Sequence, residues 1–311
     1  MATPTQNLSK KKIFITGANG LLGQKLVQQL VEQNQYIVYA SSKGESRLPG
    51  TDFNYISLEI TDSEQVVAII LEIKPDIIIH SAAMTNVDQC EQNQEACFDV
   101  NVNATRYLVE AAEAVQAHFI FVSTDFIFSG EKGPLDEEEE AAPINYYGET
   151  KLLGEQLVME SKTKWTIART VLVFGIAHDM SRTNIILWVK SSLEAGKQIQ
   201  VVDDQFRTPT LAEDLAAGCI LIANQGATGI FNISGSDFLT PLEMAHMTAD
   251  YFHLNKDLIK RADSSTFSQP AKRPLRTGFN IEKARKQLGF EPKTFQTAIG
   301  FLAKQITLAR S

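Results

Sequence analysis

Cysteine is scarce in this chain: there are three, Cys90, Cys97 and Cys219, among 311 residues. None belongs to a C-x-x-C pair, so no disulfide framework or zinc ribbon is indicated, and an odd thiol count fits a reducing compartment. Long apolar runs are also missing; no stretch approaches the roughly 20 residues that a membrane helix needs. Residues 1–9 are polar and carry no apolar signal core. A cytoplasmic setting with no membrane partner is therefore expected. Basic charge is in deficit, 29 Lys and Arg against 37 acids. The cations are scattered, so a nucleic-acid groove, which needs a clustered positive face, is not expected. Internal repeats and low-complexity linkers are absent. No group of His, Cys, Asp or Glu has metal-ligand spacing, the acidic run 136–140 reads as a solvated loop, and no metal site is predicted. The five histidines read as structural; His80 ends a strand but has no ligand partner at suitable spacing. What remains is ordinary globular composition, 44% hydrophobic, enough for a sizeable core.

The organising stretch is Lys11-Lys12-Ile13-Phe14-Ile15-Thr16-Gly17-Ala18-Asn19-Gly20-Leu21-Leu22-Gly23. A short apolar run predicts a buried strand, three glycines follow at three-residue spacing, and the next residues carry apolar side chains at helical spacing. Strand, glycine loop and helix together give a glycine motif its meaning. Gly17 suits a tight turn, Gly20 lets backbone approach a pyrophosphate, and Gly23 lets the helix pack close on the strand. The helix N-terminus, at Asn19, Leu21 and Leu22, then offers N–H groups and partial positive charge to the phosphates. The bland alternative is a strand-to-helix turn that binds nothing.

Strands are predicted at 13–15, 36–40, 54–58, 76–80, 118–123 and 165–170. Helices are predicted at 62–73 (capped by Thr61 or Asp62), 93–116 and 145–162. This alternation implies an α/β fold built on a doubly wound, Rossmann-like parallel sheet. The second half predicts helices at 181–195, 211–223, 241–252, 281–288 and 294–309, and a short strand at 229–233. The expected organisation is a dinucleotide-binding domain over 1–172, with 211–233 returning to it. Residues 173–311 should mainly form a smaller C-terminal α/β substrate lobe over the strand ends where such sheets bind ligands.

Tyr147 and Lys151 stand four apart in Tyr-Gly-Glu-Thr-Lys, on one helix face. A phenol with a pKa near 10 is a poor acid or base at neutral pH, and a neighbouring ammonium would lower it into use. Thr124 ends the fifth strand, where a hydroxyl can hydrogen-bond a carbonyl oxygen as charge develops; capping a turn is the alternative. No Ser-His-Asp arrangement is readable by spacing.

The Thr-Gly-x-x-Gly-x-x-Gly spacing resembles the short-chain dehydrogenase/reductase superfamily, specifically its extended branch acting on nucleotide sugars. Ser123-Thr124-Asp125-Phe126-Ile-Phe-Ser-Gly resembles a Ser-Thr-Asp-Tyr-Val-Phe-Asp-Gly stretch of the dTDP-4-dehydrorhamnose reductases. Residues 147–155 resemble their catalytic helix, Ala82-Ala83-Met84-Thr85-Asn86-Val87-Asp88 their Ala-Ala-x-Thr-x-Val-Asp segment, and Val100-Asn101 the Val-Asn that follows it. Residues 204–210 and Arg273-Pro274 continue the match. Two positions depart from it. Leu172 stands where the family usually has tryptophan beside the sugar, and Arg207-Thr208 replace a glycine-centred run before Pro-Thr.

The resemblance implies that Thr124, Tyr147 and Lys151 are catalytic. It implies a nucleotide sugar near Thr124, Asp125, Phe126, Leu172, Arg207 and Arg273, and cofactor ribose near Ala82, Ala83, Thr85 and Asn101. Glu59-Ile60 resembles an Asp-Leu pair near adenine. The second strand ends without the acid that would hold a ribose 2′-OH; Ser42 is followed by Lys43, and Lys43 or Arg47 could pair a 2′-phosphate. Two solvated loop cations are the alternative. NADP is expected, with NAD the other choice. The implied activity is reduction of the 4-keto group of a dTDP-6-deoxyhexulose, in dTDP-L-rhamnose synthesis. Two alternatives stay open: a nucleotide-sugar epimerase or dehydratase of the same branch, and a non-catalytic NADP-binding subunit like the regulatory subunit of methionine adenosyltransferase. A homodimer is compatible with either enzyme reading.

Overall fold

Ile13, Phe14 and Ile15 are all inaccessible to solvent, as a continuous apolar run inside a parallel sheet must be. The structure is a computed structural model and describes residues 10–180 and 183–308. The run lies in β1 (Lys11–Thr16). Then follow α1 (Leu21–Gln33), β2 (Tyr36–Ser42), β3 (Asn54–Ser57), α2 (Ser63–Ile73), β4 (Ile77–His80), α3 (Val87–Gln92), α4 (Gln94–Phe98), α5 (Ala104–Val115), β5 (His118–Thr124), α6 (Tyr146–Met159) and β6 (Trp165–Thr170). The second half contains β7 (Val173–Phe174), α7 (Ile185–Glu194), β8 (Ile199–Val202), β9 (Thr210–Leu211), α8 (Ala212–Gln225), β10 (Gly229–Asn232), α9 (Pro241–Tyr251), β11 (Ile259–Ala262), α10 (Glu282–Leu288) and α11 (Phe295–Leu308).

Seven strands form one sheet in the order β10-β6-β5-β4-β1-β2-β3, every pair parallel. This is the expected doubly wound, Rossmann-like fold. The order reverses beside β1, and the crevice at such a switch point is where these sheets bind ligands. Both faces are covered. Ile13 and Ile15 pack under α1 and α8, with Leu26, Leu30, Leu215 and Ile220. Phe14 points the other way, to Val66, Ile70 and Leu108 of α2 and α5. The strand period of two thus feeds two cores. After an excursion through β7–β9, the chain returns along α8 and adds β10 to the edge beside β6. Beyond the sheet, α7 and α9 pack with the parallel pair β8–β11, while α11 closes over Phe174 and Leu211 of the β7–β9 pair.

Three local expectations change. The helix expected at 93–116 is present from Gln94 to Val115, but Asn93, at φ −131°, sets it off from a separate α3, and residues 99–103 wind as one π-helical turn between α4 and α5. Such turns are frequent at functional sites. The helix expected from 181 begins at Ile185, because Asn184 caps it by accepting from the Leu187 N–H; residues 181–182 lie outside the described residues. Strands β8 and β11 were not foreseen. They are four residues each, too short to show a period, and only their pairing with each other makes them strands.

Candidate active site

The candidate residues gather at the carboxyl ends of β1, β2, β4 and β5. Gly17 takes φ +72°, and a Cβ there would stand 2.8 Å from the Ala82 backbone. At Gly23 a Cβ would stand 2.2 Å from the Gly17 carbonyl oxygen. Packing within the chain explains both. It does not explain Gly20, whose φ is −78° and whose Cβ would meet only the Gly17 carbonyl, at 3.2 Å. Gly20 caps α1 without a side-chain hydrogen bond, and no acid lies in the first helical turn. The N–H groups of Leu21, Leu22 and Gly23 therefore have no intrahelical acceptor. The residues present fit a bound diphosphate: a residue without a side chain at Gly20, in front of uncapped donors and a positive helix end.

Asn19 acts on the neighbouring loop. Its amide donates to the Glu45 carbonyl at 2.9 Å and the Tyr55 hydroxyl at 3.1 Å, and its carbonyl accepts from the Arg47 N–H at 2.9 Å. This bolts the segment after Ser42 against the glycine turn. Lys43 and Arg47 are both exposed there. Lys43 pairs with Glu59 at 2.7 Å, which raises the lysine pKa and lowers the glutamate's. Ile60 is buried beside them.

On the other side of β1, Ala82 lies against Gly17, followed by Ala83 and Thr85. Asn101, in the π turn, accepts from the Met84 N–H at 2.8 Å and donates to the Met84 carbonyl at 3.1 Å. It therefore sets the path of residues 82–85 rather than projecting from it. His80 is buried between the hydroxyls of Thr16 and Thr105, and burial pushes its pKa down to about 3, so it is a neutral strut.

Thr124, Tyr147 and Lys151 are brought together by α6 lying on β5. Asn145 caps α6 by accepting from the Gly148 N–H at 2.9 Å. A Cβ at Gly148 would stand 2.1 Å from the Phe126 carbonyl oxygen, so this glycine permits the close approach. Farther along, Glu155 takes a bidentate bond from Arg169 of β6, at 3.0 and 2.7 Å, with both groups buried. Lys151 Nζ donates to the Val122 carbonyl at 2.8 Å and lies 3.9 Å from the Phe121 ring centre. Burial lowers its pKa to about 7, against the opposing pull of Glu155. Tyr147 packs edge-on to Phe126, with ring centres 5.8 Å apart. Its pKa is raised, chiefly by burial, while a hydrogen bond with Thr124 works the other way. That differs from the expectation of a tyrosine lowered by its lysine: the phenol is buried, and desolvation disfavours its phenolate.

The residues expected around a substrate divide. Asp125 and Phe126 follow Thr124 directly. Leu172 lies on the wall of a cavity of about 520 Å³ and takes a left-handed φ of +36°, a strained conformation for leucine. The same cavity is lined by Trp188, Gln205, Phe267 and Gln269, none of them foreseen. An exposed tryptophan on α7 was the available signal. Arg207 is not free to hold a phosphate. Its guanidinium donates to the carbonyls of Phe206, Leu275 and Pro274 and pairs with Asp125, all in the interior. Arg273 reaches the cavity, but its fork already grips Asp88, two bonds of 2.7 Å.

The family model for the RmlD substrate binding domain matches residues 11–308. The chain belongs to that family. Similar proteins include a probable low-salt glycan biosynthesis reductase, Agl14, of Haloferax volcanii, 32% identical, the alignment covering 93% of this chain and 96% of that one. The dTDP-4-dehydrorhamnose reductase of Aggregatibacter actinomycetemcomitans is 31% identical, with 93% and 97% covered. Methionine adenosyltransferase 2 subunit beta of Mus musculus is 29% identical, with 94% and 87% covered. Among solved structures, the Bacillus anthracis dTDP-4-dehydrorhamnose reductase in complex with NADP superposes with a TM-score of 0.84 at 28% identity, over 95% of this chain and 99% of that one. The resemblance to dTDP-4-dehydrorhamnose reductases is thus borne out for the family and for the fold. No described helix is long and apolar enough to cross a membrane.

Proposed function

We propose that this RmlD-family chain is a reductase that uses NADPH, with NADH the alternative, on the 4-keto group of a dTDP-6-deoxyhexulose. The observation that carries the reading is the placement of Thr124, Tyr147 and Lys151 at the carboxyl end of β5 and on α6, at the same edge of the sheet as the uncapped N-terminus of α1. Its similarity to an NADP-bound dTDP-4-dehydrorhamnose reductase and to a glycan reductase supports it.

When bound, the nicotinamide supplies a hydride. The protein supplies geometry and charge. The first turn of α1 and the Gly17–Gly23 loop hold the diphosphate. Ala82, Ala83 and Thr85, set by Asn101, border the ribose, and Lys43 and Arg47 meet a 2′-phosphate. Thr124 orients the substrate carbonyl. Tyr147 gives its proton to the carbonyl oxygen as negative charge develops there, and Lys151, one turn along α6, stabilises the phenolate left behind.

The test is stoichiometric oxidation of added NADPH by dTDP-4-dehydrorhamnose, with dTDP-rhamnose as product. Turnover of other 4-keto sugars but not this one would keep the reaction and replace the substrate. An epimerase or dehydratase would retain NAD and show no net oxidation. The methionine adenosyltransferase relatives favour one further reading, a non-catalytic NADP-binding subunit. NADPH binding without turnover, together with capture of a methionine adenosyltransferase catalytic subunit, would establish that instead.

A further inference from the structure

Two of the three cysteines lie together behind Tyr147. Cys90 on α3 and Cys97 on α4 are inaccessible to solvent and share one buried cluster with Tyr147. The Cys90 thiol donates to the Met84 carbonyl at 3.4 Å. The Cys97 sulfur accepts from the Asn101 amide at 3.3 Å and lies 3.5 Å from the Thr150 hydroxyl. The Asn101 amide links them, since it donates both to the Cys97 sulfur and to the Met84 carbonyl that Cys90 also bonds. Asn93, out of helical geometry between α3 and α4, folds the two short helices so that residues seven apart can meet. Cys219 is the contrasting case. It lies on the buried face of α8 among apolar side chains, and burial pushes its thiol up to about 12.

We infer that Cys90 and Cys97 form an oxidisable dithiol, which a peroxide converts into an intramolecular disulfide at the back of the active site. The sequence of bonds is simple. The Cys97 thiolate attacks hydrogen peroxide; an S–O bond forms, the O–O bond breaks, and hydroxide leaves to take up a proton as water. Sulfur is oxidised by two electrons and the peroxide is reduced. The Cys90 sulfur then attacks the Cys97 sulfenic acid; the S–S bond forms, the S–O bond breaks, and water leaves with the Cys90 proton. Cys97 is the attacking thiol because the Asn101 amide donates to its sulfur, which favours the thiolate, whereas the Cys90 thiol is itself a donor to the Met84 carbonyl.

The pair touches the site at two points. Thr150 lies on α6 between Tyr147 and Lys151 and donates to the Tyr147 carbonyl at 2.9 Å. Asn101 holds the 82–85 segment through both polar groups of Met84. Pulling Cys97 toward Cys90 shifts the partner that both residues share. This coupling rests on the proposed cofactor reading; the disulfide itself does not.

The experiment treats the folded, reduced protein with a small excess of hydrogen peroxide, alkylates remaining thiols under denaturing conditions and maps the peptides. The expected product has lost two hydrogens, joins the Cys90 and Cys97 peptides, and still carries an alkylated Cys219. Cys90→Ser should leave a sulfenic acid at Cys97 that dimedone traps, and Cys97→Ser should leave neither product. Cys97 unreacted, Cys97 driven to sulfinic acid with Cys90 still alkylated, or a link through Cys219 or between chains would overturn the proposal. NADPH titration of the disulfide form against the same sample re-reduced should show affinity lower by about tenfold, within the range of coupled sites. Equal affinities would overturn the coupling. Failure of the reduced protein to bind NADPH would count against the proposed function and leave the disulfide result standing.

Discussion

Arg207 and Asp125 form an ion pair in the interior, Nε to Oδ2 at 3.6 Å, their side chains only 6% and 3% exposed. Asp125 also accepts from the Thr124 hydroxyl at 3.1 Å and from Thr277. Arg207 spends its other N–H groups on the carbonyls of residues 206, 274 and 275. The pair therefore joins the strand end that carries Thr124 to two loops of the second half.

Breaking that pair leaves a buried charge alone. Arg207→Leu should cost about 3–5 kcal/mol of stability. Burial already raises Asp125, with Arg207 opposing, so the variant's folded carboxyl rises further above its unfolded value. The folded state then binds more protons than the unfolded one, and stability falls as pH climbs from about 4. The drop in Tm between about pH 5 and about pH 8 should be steeper than in the native protein. Adding Asp125→Asn should remove the extra slope. A native Tm with a native slope in Arg207→Leu would deny the pair this role.

Tyr147→Phe removes the proposed proton donor and little else, since the ring contact with Phe126 survives. Its kcat should fall by about 10²–10⁴, the span of a positioned acid, while NADPH affinity barely changes. Near-native turnover would take Tyr147 out of the mechanism.

Lys151 is buried with its pKa lowered to about 7, against about 10.4 when unfolded. Between those values the unfolded chain binds more protons, so stability rises with pH. Below the lower value, folding carries the full cost of a buried ammonium. Lys151→Met should therefore be more stable than the native protein at about pH 6, and the gain should shrink toward about pH 10. Parallel Tm curves would show that Lys151 is not desolvated as described. Activity should be lost at every pH.

The glycine loop offers a separation of roles. Gly20→Val should largely keep the fold and lose NADPH binding, because its Cβ meets only the Gly17 carbonyl, at 3.2 Å, while its branches fill the space in front of the helix N-terminus. Gly23→Ala should lower Tm instead, its Cβ falling 2.2 Å from a backbone oxygen. Undiminished NADPH affinity in Gly20→Val would make the loop structural only.

Arg273 lines the cavity while bound to Asp88. If it also serves the substrate diphosphate, Arg273→Ala should raise KM for the dTDP-sugar about tenfold or more, the scale of a charged hydrogen bond, with kcat unmoved. KM for NADPH should stay put. No change in either constant would leave Arg273 as a partner of Asp88 alone.

The alternating apolar runs determined the sheet, because strands buried on both faces need unbroken apolar side chains and their helices need a 3.6-residue stripe; Ile13–Ile15 and Ile77–Ile79 are plain in any reading. The glycine spacing and the four-residue Tyr147–Lys151 interval were equally legible, since local geometry alone places those groups. What each charge faces was decided by tertiary structure. Lys43 meets Glu59, Arg207 meets Asp125 and Arg273 meets Asp88, partners 16, 82 and 185 positions away. No local period encodes such distances. The direction of the Tyr147 and Lys151 shifts belongs to the same class, because desolvation is set by how α6 is pressed onto the sheet, and that depends on Gly148 meeting Phe126 and Glu155 meeting Arg169 in space.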